Sequence, residues 1–337
     1  MPKFNIRRFT GRPSWATPSL VGVLLVALTL LAGCQPKPQK TLTNKLRPFQ
    51  SGSLIDVESG GGMIASCSYG FHAQRYGQIG LVTAVHCTDT DFDYDGHFTS
   101  TNERIWQSYS DDSNPVARVS LKPNMVYYTD DAACEAVASA YPDFYIRWCL
   151  YADATFAPFV DQNKTGDEKF YLAGAVANLP LSKKETKLGP VDETHPNTYT
   201  GYGYAPLSDT PIYKIGATTG KTEGELPKNI PEYGNFIAQF PSDPRYFANL
   251  GVFFVVSDNT APLVSSGDSG GGVFHATSYT EDPDGPFALT GITIGEAEYQ
   301  GETLLVMEPL QDILDTLDVE VEIGGSGALG RPVVREN

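Results

Sequence analysis

Residues 267–274 read GDSGGGVF, and this stretch does most to decide the fold and the chemistry expected of the chain. Glycines lie on both sides of Ser269, so the backbone there can approach a substrate closely and turn its N–H groups inward. The apolar residues that follow, through Phe274, are typical of a short strand. The stretch therefore predicts a serine held in a tight turn at the start of a strand.

Two other segments supply residue types that can work with this serine. Residues 81–87, LVTAVHC, are a strand-like run that ends with His86 beside a cysteine. Residues 149–156, CLYADATF, hold a single carboxylate, Asp153, in an apolar run, where a buried carboxylate needs a hydrogen-bond partner. A serine hydroxyl is a weak nucleophile that needs a base, and His86 can be that base while Asp153 fixes its tautomer. The N–H groups of Gly267 and Ser269 can form an oxyanion hole.

The rest of the chain favours an all-β fold. Short apolar or alternating runs are separated by Gly, Pro, Asn and Asp, as in a β-sandwich or barrel. One segment, 309–317, has helical periodicity, with four apolar residues on one face. The predicted strands are Met63–Tyr69, Gly80–Ala84, Ile105–Tyr109, Val116–Leu121, Ile212–Ile215, Asn235–Phe240, Gly251–Val256, Gly272–Phe274, Leu289–Ile294 and Thr303–Met307.

Several motifs resemble those of chymotrypsin-like serine proteases. TAVHC at 83–87 is similar to their TAGHC box, GDSGG at 267–271 matches their GDSGG box, and the order His, Asp, Ser is theirs. CSYGF at 67–71, DATF at 153–156 and KIGATTGKTEG at 214–224 resemble segments of the bacterial, streptogrisin-like branch. The resemblance covers about residues 60–317. It implies two six-stranded antiparallel Greek-key barrels with a short C-terminal helix, His86, Asp153 and Ser269 as catalytic residues, an acyl-enzyme intermediate, protein or peptide substrates and no cofactor.

The resemblance also implies a substrate pocket. Six positions before Ser269, where an acid gives a preference for Arg and Lys in this family, the chain has Leu263. Residues 291–295 resemble the pocket wall that pairs with the substrate backbone. We expect a pocket formed by Leu263, Ile292, Thr293, Ile294 and Gly295 that takes apolar P1 side chains.

The chain departs from the family at several points. Val85 stands where a glycine is usual, Gly272 replaces a proline, and the cysteine pair that often brackets the pocket is missing. The spacing of 67 positions from His86 to Asp153 implies an insertion, with 89–95 and 111–131 as the extra loops. These departures keep one alternative open, a non-catalytic binding lipoprotein that retained the fold. An esterase elbow, which GDSGG also satisfies, needs a later histidine in the order Ser, Asp, His, and His275 follows too closely.

The N-terminal region indicates export. Residues 1–18 are basic and polar, residues 20–33 are apolar and uncharged, and this 14-residue run is short for a spanning helix. It ends in LAGC at 31–34, which resembles the bacterial lipobox, so a signal peptide over 1–33 and a lipidated Cys34 are expected. Gln35 follows, which favours the outer membrane or cell surface of the bacterial envelope. The predicted order is then a tether over 34–59, a protease domain over 60–320 and a flexible tail over 321–337. The domain divides into barrel one at about 60–160, a connection at 161–205, barrel two at 206–308 and a helix at 309–318.

The charge and the cysteine count lead to expectations about partners and about disulfide bonds. The 337 residues hold 24 Lys and Arg against 40 Asp and Glu, and four of the bases but none of the acids precede residue 34. The remaining 20 bases and 40 acids give a net charge of −20, which argues against nucleic acid as a partner. Beyond Cys34 the four cysteines are Cys67, Cys87, Cys134 and Cys149; they allow three pairings, and the resemblance implies Cys67–Cys87. We expect the chain to be monomeric.

A calcium loop is a further hypothesis. Residues 91–96, DFDYDG, fit the start of a D-x-D-x-D-G loop with Asp91, Asp93 and Asp95 as ligands. The twelfth position is Asn102 rather than an acid, so a solvated acidic loop is the competing interpretation. Any calcium would be structural, and no other metal spacing is present among the histidines.

Overall fold

The computed structural model describes residues 40–46, 49–59, 63–88, 91, 96–107, 114–160, 171–177, 191, 197–203, 211–228, 232–239, 245–257, 262–276 and 287–323. The predicted signal peptide, Cys34, two of the three calcium candidates (Asp93 and Asp95) and tail residues 324–337 lie outside this set.

Within these residues the chain forms β-strands joined by short turns, with two α-helices. The helices are α1, Ala132–Ala140, and α2, Leu310–Leu317. The strands are β1 Phe49–Ser51, β2 Leu54–Ser59, β3 Met63–Ser68, β4 Phe71–Arg75, β5 Gln78–Thr83, β6 Arg104–Trp106, β7 Ala117–Arg118, β8 Val126–Tyr127, β9 Trp148–Leu150, β10 Thr155–Pro158, β11 Tyr171–Val176, β12 Asn197–Tyr202, β13 Ile212–Gly216, β14 Gly220–Glu225, β15 Tyr233–Gln239, β16 Tyr246–Ser257, β17 Gly272–Ala276, β18 Phe287–Tyr299, β19 Glu302–Pro309 and β20 Glu320–Val321. The predicted all-β class with a C-terminal helix is confirmed.

The described strands pair in three sheets. Twelve strands form one sheet along the path β1-β11-β12-β18-β17-β13-β14-β16-β9-β8, with β15 on β16 and β19 joining β16 to β18. The other two sheets have four strands each, β10-β5-β4-β20 and β3-β2-β6-β7. The hydrogen-bonded strands therefore group as twelve, four and four, where the resemblance implied two sets of six.

This pairing brings the three chemistry-bearing segments to neighbouring strand ends. β10 runs antiparallel to β5, with Thr155 opposite Thr83. His86 follows β5 and Asp153 precedes β10, so both lie beyond the same end of one small sheet. Ser269 precedes β17, which belongs to the large sheet.

The C-terminal helix forms for the reason that its periodicity predicted. Leu310, Ile313 and Leu317 recur at helical spacing and are fully buried. They pack in a core cluster that also contains Phe71, Phe156 and Ile292 from strands of both the large and a small sheet. The helix ends at Asp318, which adopts a left-handed conformation with φ 50°.

The domain boundary predicted at residue 60 is wrong. Residues 49–59, assigned to a tether, form β1 and β2, and Leu42, Leu46 and Phe49 are fully buried. The segment is typical of a linker because its apolar residues are few and widely spaced, but Leu42, Leu46, Phe49, Ile55 and Val57 all belong to buried core clusters. At the other end, β20 pairs with β4, so the described chain stays structured to residue 323.

Helix α1 was not predicted. It begins directly after 111–131, the segment interpreted as an extra loop, and only Cys134 and Val137 on it are buried. Asp131 caps it by accepting a hydrogen bond from the Cys134 N–H at 2.8 Å. Neither this helix nor α2 is long and apolar enough to cross a membrane.

Candidate active site

Asp153 holds His86 through both of its carboxylate oxygens. Oδ2 lies 2.7 Å from the ring Nδ1 of His86, and Oδ1 accepts a hydrogen bond from the His86 backbone N–H at 3.1 Å. The Asp153 side chain is 3% exposed and that of His86 is 21% exposed, so the pair is shielded from water while the imidazole remains accessible. The ring Nε2 of His86 has no hydrogen-bond partner among the described residues.

Two opposing effects act on the imidazole. Burial lowers the pKa of His86, but the charge of Asp153 and its hydrogen bond outweigh burial and raise the pKa above the ordinary 6.5. The raised pKa means that Asp153 stabilises the protonated ring. An imidazole in this setting can accept a proton and hold it.

A disulfide and a tight turn fix His86. β5 ends at Thr83, and Val85–Cys87 form one 3₁₀ turn with the histidine at its centre. Cys87 is bonded to Cys67 at the end of β3, so the pairing implied by the family resemblance is present. Val85, one of the departures from the family pattern, is fully buried beside Trp148 and Leu150.

The second disulfide, Cys134–Cys149, ties α1 to β9 just before Asp153. Tyr151 adds a second link, because its hydroxyl donates to Asp131 Oδ2 at 2.7 Å. That hydrogen bond raises the pKa of Tyr151 to about 12. The unpredicted helix therefore anchors the segment that carries Asp153.

Ser269 lies in a turn that requires its glycines. Gly267 and Gly270 have φ values of 97° and 83°, which side-chain-bearing residues rarely adopt. A Cβ atom on Gly270 would lie 2.1 Å from Thr83 Oγ1 and 3.0 Å from the Ala84 nitrogen. The turn thus packs directly against the two residues that lead to the Val85–Cys87 turn.

Hydrogen bonds join the serine turn to the histidine side of the site. The Ser68 N–H donates to the Ser269 carbonyl at 2.7 Å, and Ser68 is the neighbour of disulfide-bonded Cys67. These contacts place the serine turn beside the segments that lead to His86, and no hydrogen bond joins Ser269 Oγ to the ring in the described part of the chain. Such bonds are often long before substrate binds.

The backbone N–H groups around Ser269 fall into two sets. Those of Ser265, Asp268, Gly270 and Gly271 donate to acceptors within the fold at 2.7–3.0 Å. Those of Ser266, Gly267 and Ser269 have no acceptor among the described residues. The two groups predicted to form an oxyanion hole are therefore among those left free to bind an anion.

The Asp268 side chain holds the loop that carries Ser269 in place by accepting several hydrogen bonds. Its carboxylate accepts hydrogen bonds from the N–H groups of Thr218, Thr219 and Ser265 at 2.9–3.1 Å and from the ammonium group of Lys214 at 2.9 Å. Lys214 and Asp268 are fully buried, so this ion pair is out of contact with water. Burial lowers the pKa of Lys214, while the charge and hydrogen bond of Asp268 act against that effect.

Sequence reasoning missed two buried charged or acidic residues of the site. Lys214 was quoted in a motif but given no role, although a lysine inside the apolar run Ile212–Ile215 is itself a signal of a buried partner. Glu308 was overlooked at the end of the apolar run Leu304–Met307. Its Oε2 accepts a hydrogen bond from the Asp153 backbone N–H at 3.0 Å.

Three of the five predicted pocket residues belong to two core clusters, and the other two are fully buried Thr293 and half-buried Gly295. Leu263 packs with Val255 and Met307, whereas Ile292 and Ile294 belong to the cluster that contains α2. Thr293 lies beside the serine turn, since its N–H donates to Gly271 and its carbonyl accepts from Gly270. A Cβ atom on Gly295 would lie 3.5 Å from the Phe236 ring, so this aromatic side chain borders the predicted pocket wall.

Gly272 departs from the family pattern for a reason of space. It replaces a proline at a position where a Cβ would lie 2.5 Å from Ser51 Oγ, so the larger residue does not fit here.

The calcium hypothesis has a separate outcome. Among the described residues no cluster of His, Cys, Asp or Glu is arranged to hold a metal ion. Of the calcium candidates, Asp91 is described and Asp93 and Asp95 are not, so that hypothesis lies largely outside the described residues.

Comparison with known proteins returns solved structures at low identity. No protein-family model matches the chain, and a search of the curated proteins finds no match. Thermobifida fusca protease A and Nocardiopsis protease are similar at 15% and 16% identity, each with a TM-score of 0.44 over 82% of this chain and 98% of the other. Cellulomonas bogoriensis chymotrypsin is similar at 15% identity and a TM-score of 0.43 with the same coverage. No conclusion about this chain is drawn from likeness at this level, and its function is inferred below from the geometry of the site.

Proposed function

We propose that the chain is a serine endopeptidase that cleaves peptide bonds through an acyl-enzyme intermediate. The observation that carries the proposal is the doubly held His86, whose Nδ1 lies 2.7 Å from buried Asp153 while Nε2 has no partner in the described residues. In this role Nε2 removes the proton from Ser269 Oγ as the hydroxyl attacks the substrate carbonyl carbon.

The later steps follow from the same geometry. As the carbonyl oxygen gains negative charge, the free N–H groups of Gly267 and Ser269 stabilise it, each worth about 3 kcal/mol of barrier. The protonated His86 then gives its proton to the leaving amine, which breaks the peptide bond and leaves an ester on Ser269. Water, deprotonated by His86, hydrolyses that ester and restores the free serine.

Substrate choice is part of the proposal. Leu263 occupies the pocket position where an acid would select Arg or Lys, and Ile292, Ile294 and Phe236 are apolar. We therefore expect cleavage after apolar P1 residues. The proposal also includes export, with lipidation of Cys34 anchoring the enzyme to the envelope.

Hydrolysis of a peptide library tests the activity directly. The full chain, purified in detergent, should cleave peptides with apolar P1 residues, and Ser269→Ala should abolish cleavage. Ser266→Ala is the matched control, because Ser266 is an exposed serine of the same turn. A folded parent that cleaves nothing would favour the alternative, a binding lipoprotein that keeps the fold without the reaction.

A further inference from the structure

Glu308 contacts the backbone of Asp153, whereas His86 contacts the Asp153 carboxylate. Asp153 uses both carboxylate oxygens on His86, and its backbone N–H donates to Glu308 Oε2 at 3.0 Å. Glu308 lies on β19, opposite Ile292, one position before the end of the strand. Asp153 is therefore held at two points, by its side chain from one direction and by its backbone from the other.

The surroundings of Glu308 disfavour a negative charge. The residue is fully buried, and its second oxygen, Oε1, has no hydrogen-bond partner among the described residues. The titratable groups that face it are the carboxyl groups of Asp153 and Asp312 and the phenol of Tyr233. None of these carries a positive charge, so no cation among the described residues compensates an ionised Glu308.

The net effect of these surroundings favours the protonated form of Glu308. Burial raises the pKa of Glu308 well above the ordinary 4.5, the hydrogen bond from Asp153 acts against this, and the charges of Asp153 and Asp312 raise it further. A neutral acid can accept the Asp153 N–H through Oε2 and carry its proton on Oε1. It does so without placing a second negative charge beside the triad carboxylate.

We propose that Glu308 is a positioning residue that holds the backbone of Asp153 as a neutral carboxylic acid, so that of the two residues only Asp153 is charged beside His86. The inference rests on the proposed function of the His86, Asp153 and Ser269 site. Glu308 itself touches neither the substrate nor the reacting atoms.

Infrared spectroscopy tests the protonation without any need for activity. The spectrum of the full chain at pH 7 should contain a carboxylic acid C=O band that Glu308→Gln removes. Glu302→Gln, an exposed glutamate on the same strand, should leave that band unchanged. An identical spectrum for the parent and Glu308→Gln would show that Glu308 is ionised and would overturn the proposal.

The positioning role is tested with two variants of Glu308. Glu308→Gln keeps an acceptor for the Asp153 N–H and should retain kcat within about threefold. Glu308→Leu removes the acceptor at similar volume and should lower kcat about tenfold with KM nearly unchanged. The NMR signal of the His86 Nδ1 proton should survive in the Gln variant and shift or broaden in the Leu variant. Unchanged kcat and an unchanged signal in Glu308→Leu would mean that the residue is merely structural.

A pH profile covers the case in which Glu308→Leu does not fold. With a neutral Glu308, the Gln variant should keep the midpoint of the acid limb of kcat/KM, because no charge near His86 is removed. A midpoint that falls in Glu308→Gln would show that an ionised Glu308 had been stabilising the imidazolium. Failure of the proposed function itself gives a different result, no turnover by the parent while the infrared band is still present.

Discussion

At the scale of single residues, the account depends on the proton affinity of His86. The net effect of burial and Asp153 is a pKa above 6.5, and the base must be unprotonated to act. We expect kcat/KM to rise with pH and to reach half its maximum above pH 6.5. Steady-state kinetics between pH 5 and 9 measures this, and a flat profile would exclude His86 as the base.

In the proposed mechanism, the Asp153 carboxylate fixes the tautomer of His86 and stabilises its protonated ring. Asp153→Asn keeps the shape of the side chain but removes the carboxylate that faces Nδ1, so kcat should fall by about 10⁴. Asp143→Asn is the matched control, because Asp143 is exposed in the turn after α1. Loss of activity in the control but not in Asp153→Asn would assign the role to another aspartate.

Removing one partner of the buried Lys214–Asp268 ion pair is expected to reduce the free energy of unfolding more than replacing both partners. Lys214→Met leaves Asp268 as an unpaired buried charge and should reduce the free energy of unfolding by about 3–5 kcal/mol. The double variant Lys214→Met, Asp268→Asn should recover part of that loss, since no buried charge remains. Urea denaturation of the three proteins measures the effect, and equal stabilities would mean that the pair is not buried as described.

At the scale of elements, helix α1 matters through its attachment to β9. The Cys134–Cys149 disulfide closes a 15-residue loop, which a chain-entropy estimate values at about 3 kcal/mol of stability. Replacing both cysteines with alanine should lower the free energy of unfolding by about that amount and reduce kcat, because the Asp153 segment loses an anchor. Denaturation and kinetics test the two effects separately. Unchanged kcat would show that the Tyr151–Asp131 link is sufficient.

Local patterns predicted some elements and missed others for identifiable reasons. Strands such as β13 and β17 have runs of apolar residues, and α2 has four apolar residues at helical spacing. These local patterns are sufficient to predict the three elements from the sequence. β1 and β2 have few apolar residues, and their burial depends on partners more than 10 residues away, such as β6 and β11. α1 was missed because only two of its nine residues are buried.

The same limit applies to the site. Glycine-flanked Ser269 and cysteine-flanked His86 carry local signals that could be interpreted from neighbouring residues. The role of Glu308 depends on a contact with Asp153 across 155 positions of sequence, and no local pattern encodes it. Residues whose function is to hold another residue are therefore the ones that sequence analysis misses.

At the scale of the whole molecule, the predicted lipid anchor concerns where the protein is located in the cell envelope. Cys34→Ala removes the thiol that would carry the lipid, so the protein should move from the membrane fraction to the soluble fraction of the envelope. Fractionation with immunoblotting measures this, with Cys134→Ala as a control for loss of a cysteine elsewhere. A Cys34→Ala protein that stays in the membrane fraction would contradict lipid anchoring.

The central claim is that Ser269 is a nucleophile activated by His86. The most direct measurement is mass spectrometry of the full chain after treatment with a fluorophosphonate, which reacts with activated serines. The account predicts one adduct, mapped to the peptide that contains Ser269, retained in Ser266→Ala and lost in Ser269→Ala and in His86→Ala. A folded parent without an adduct, or with an adduct at another residue, would contradict it.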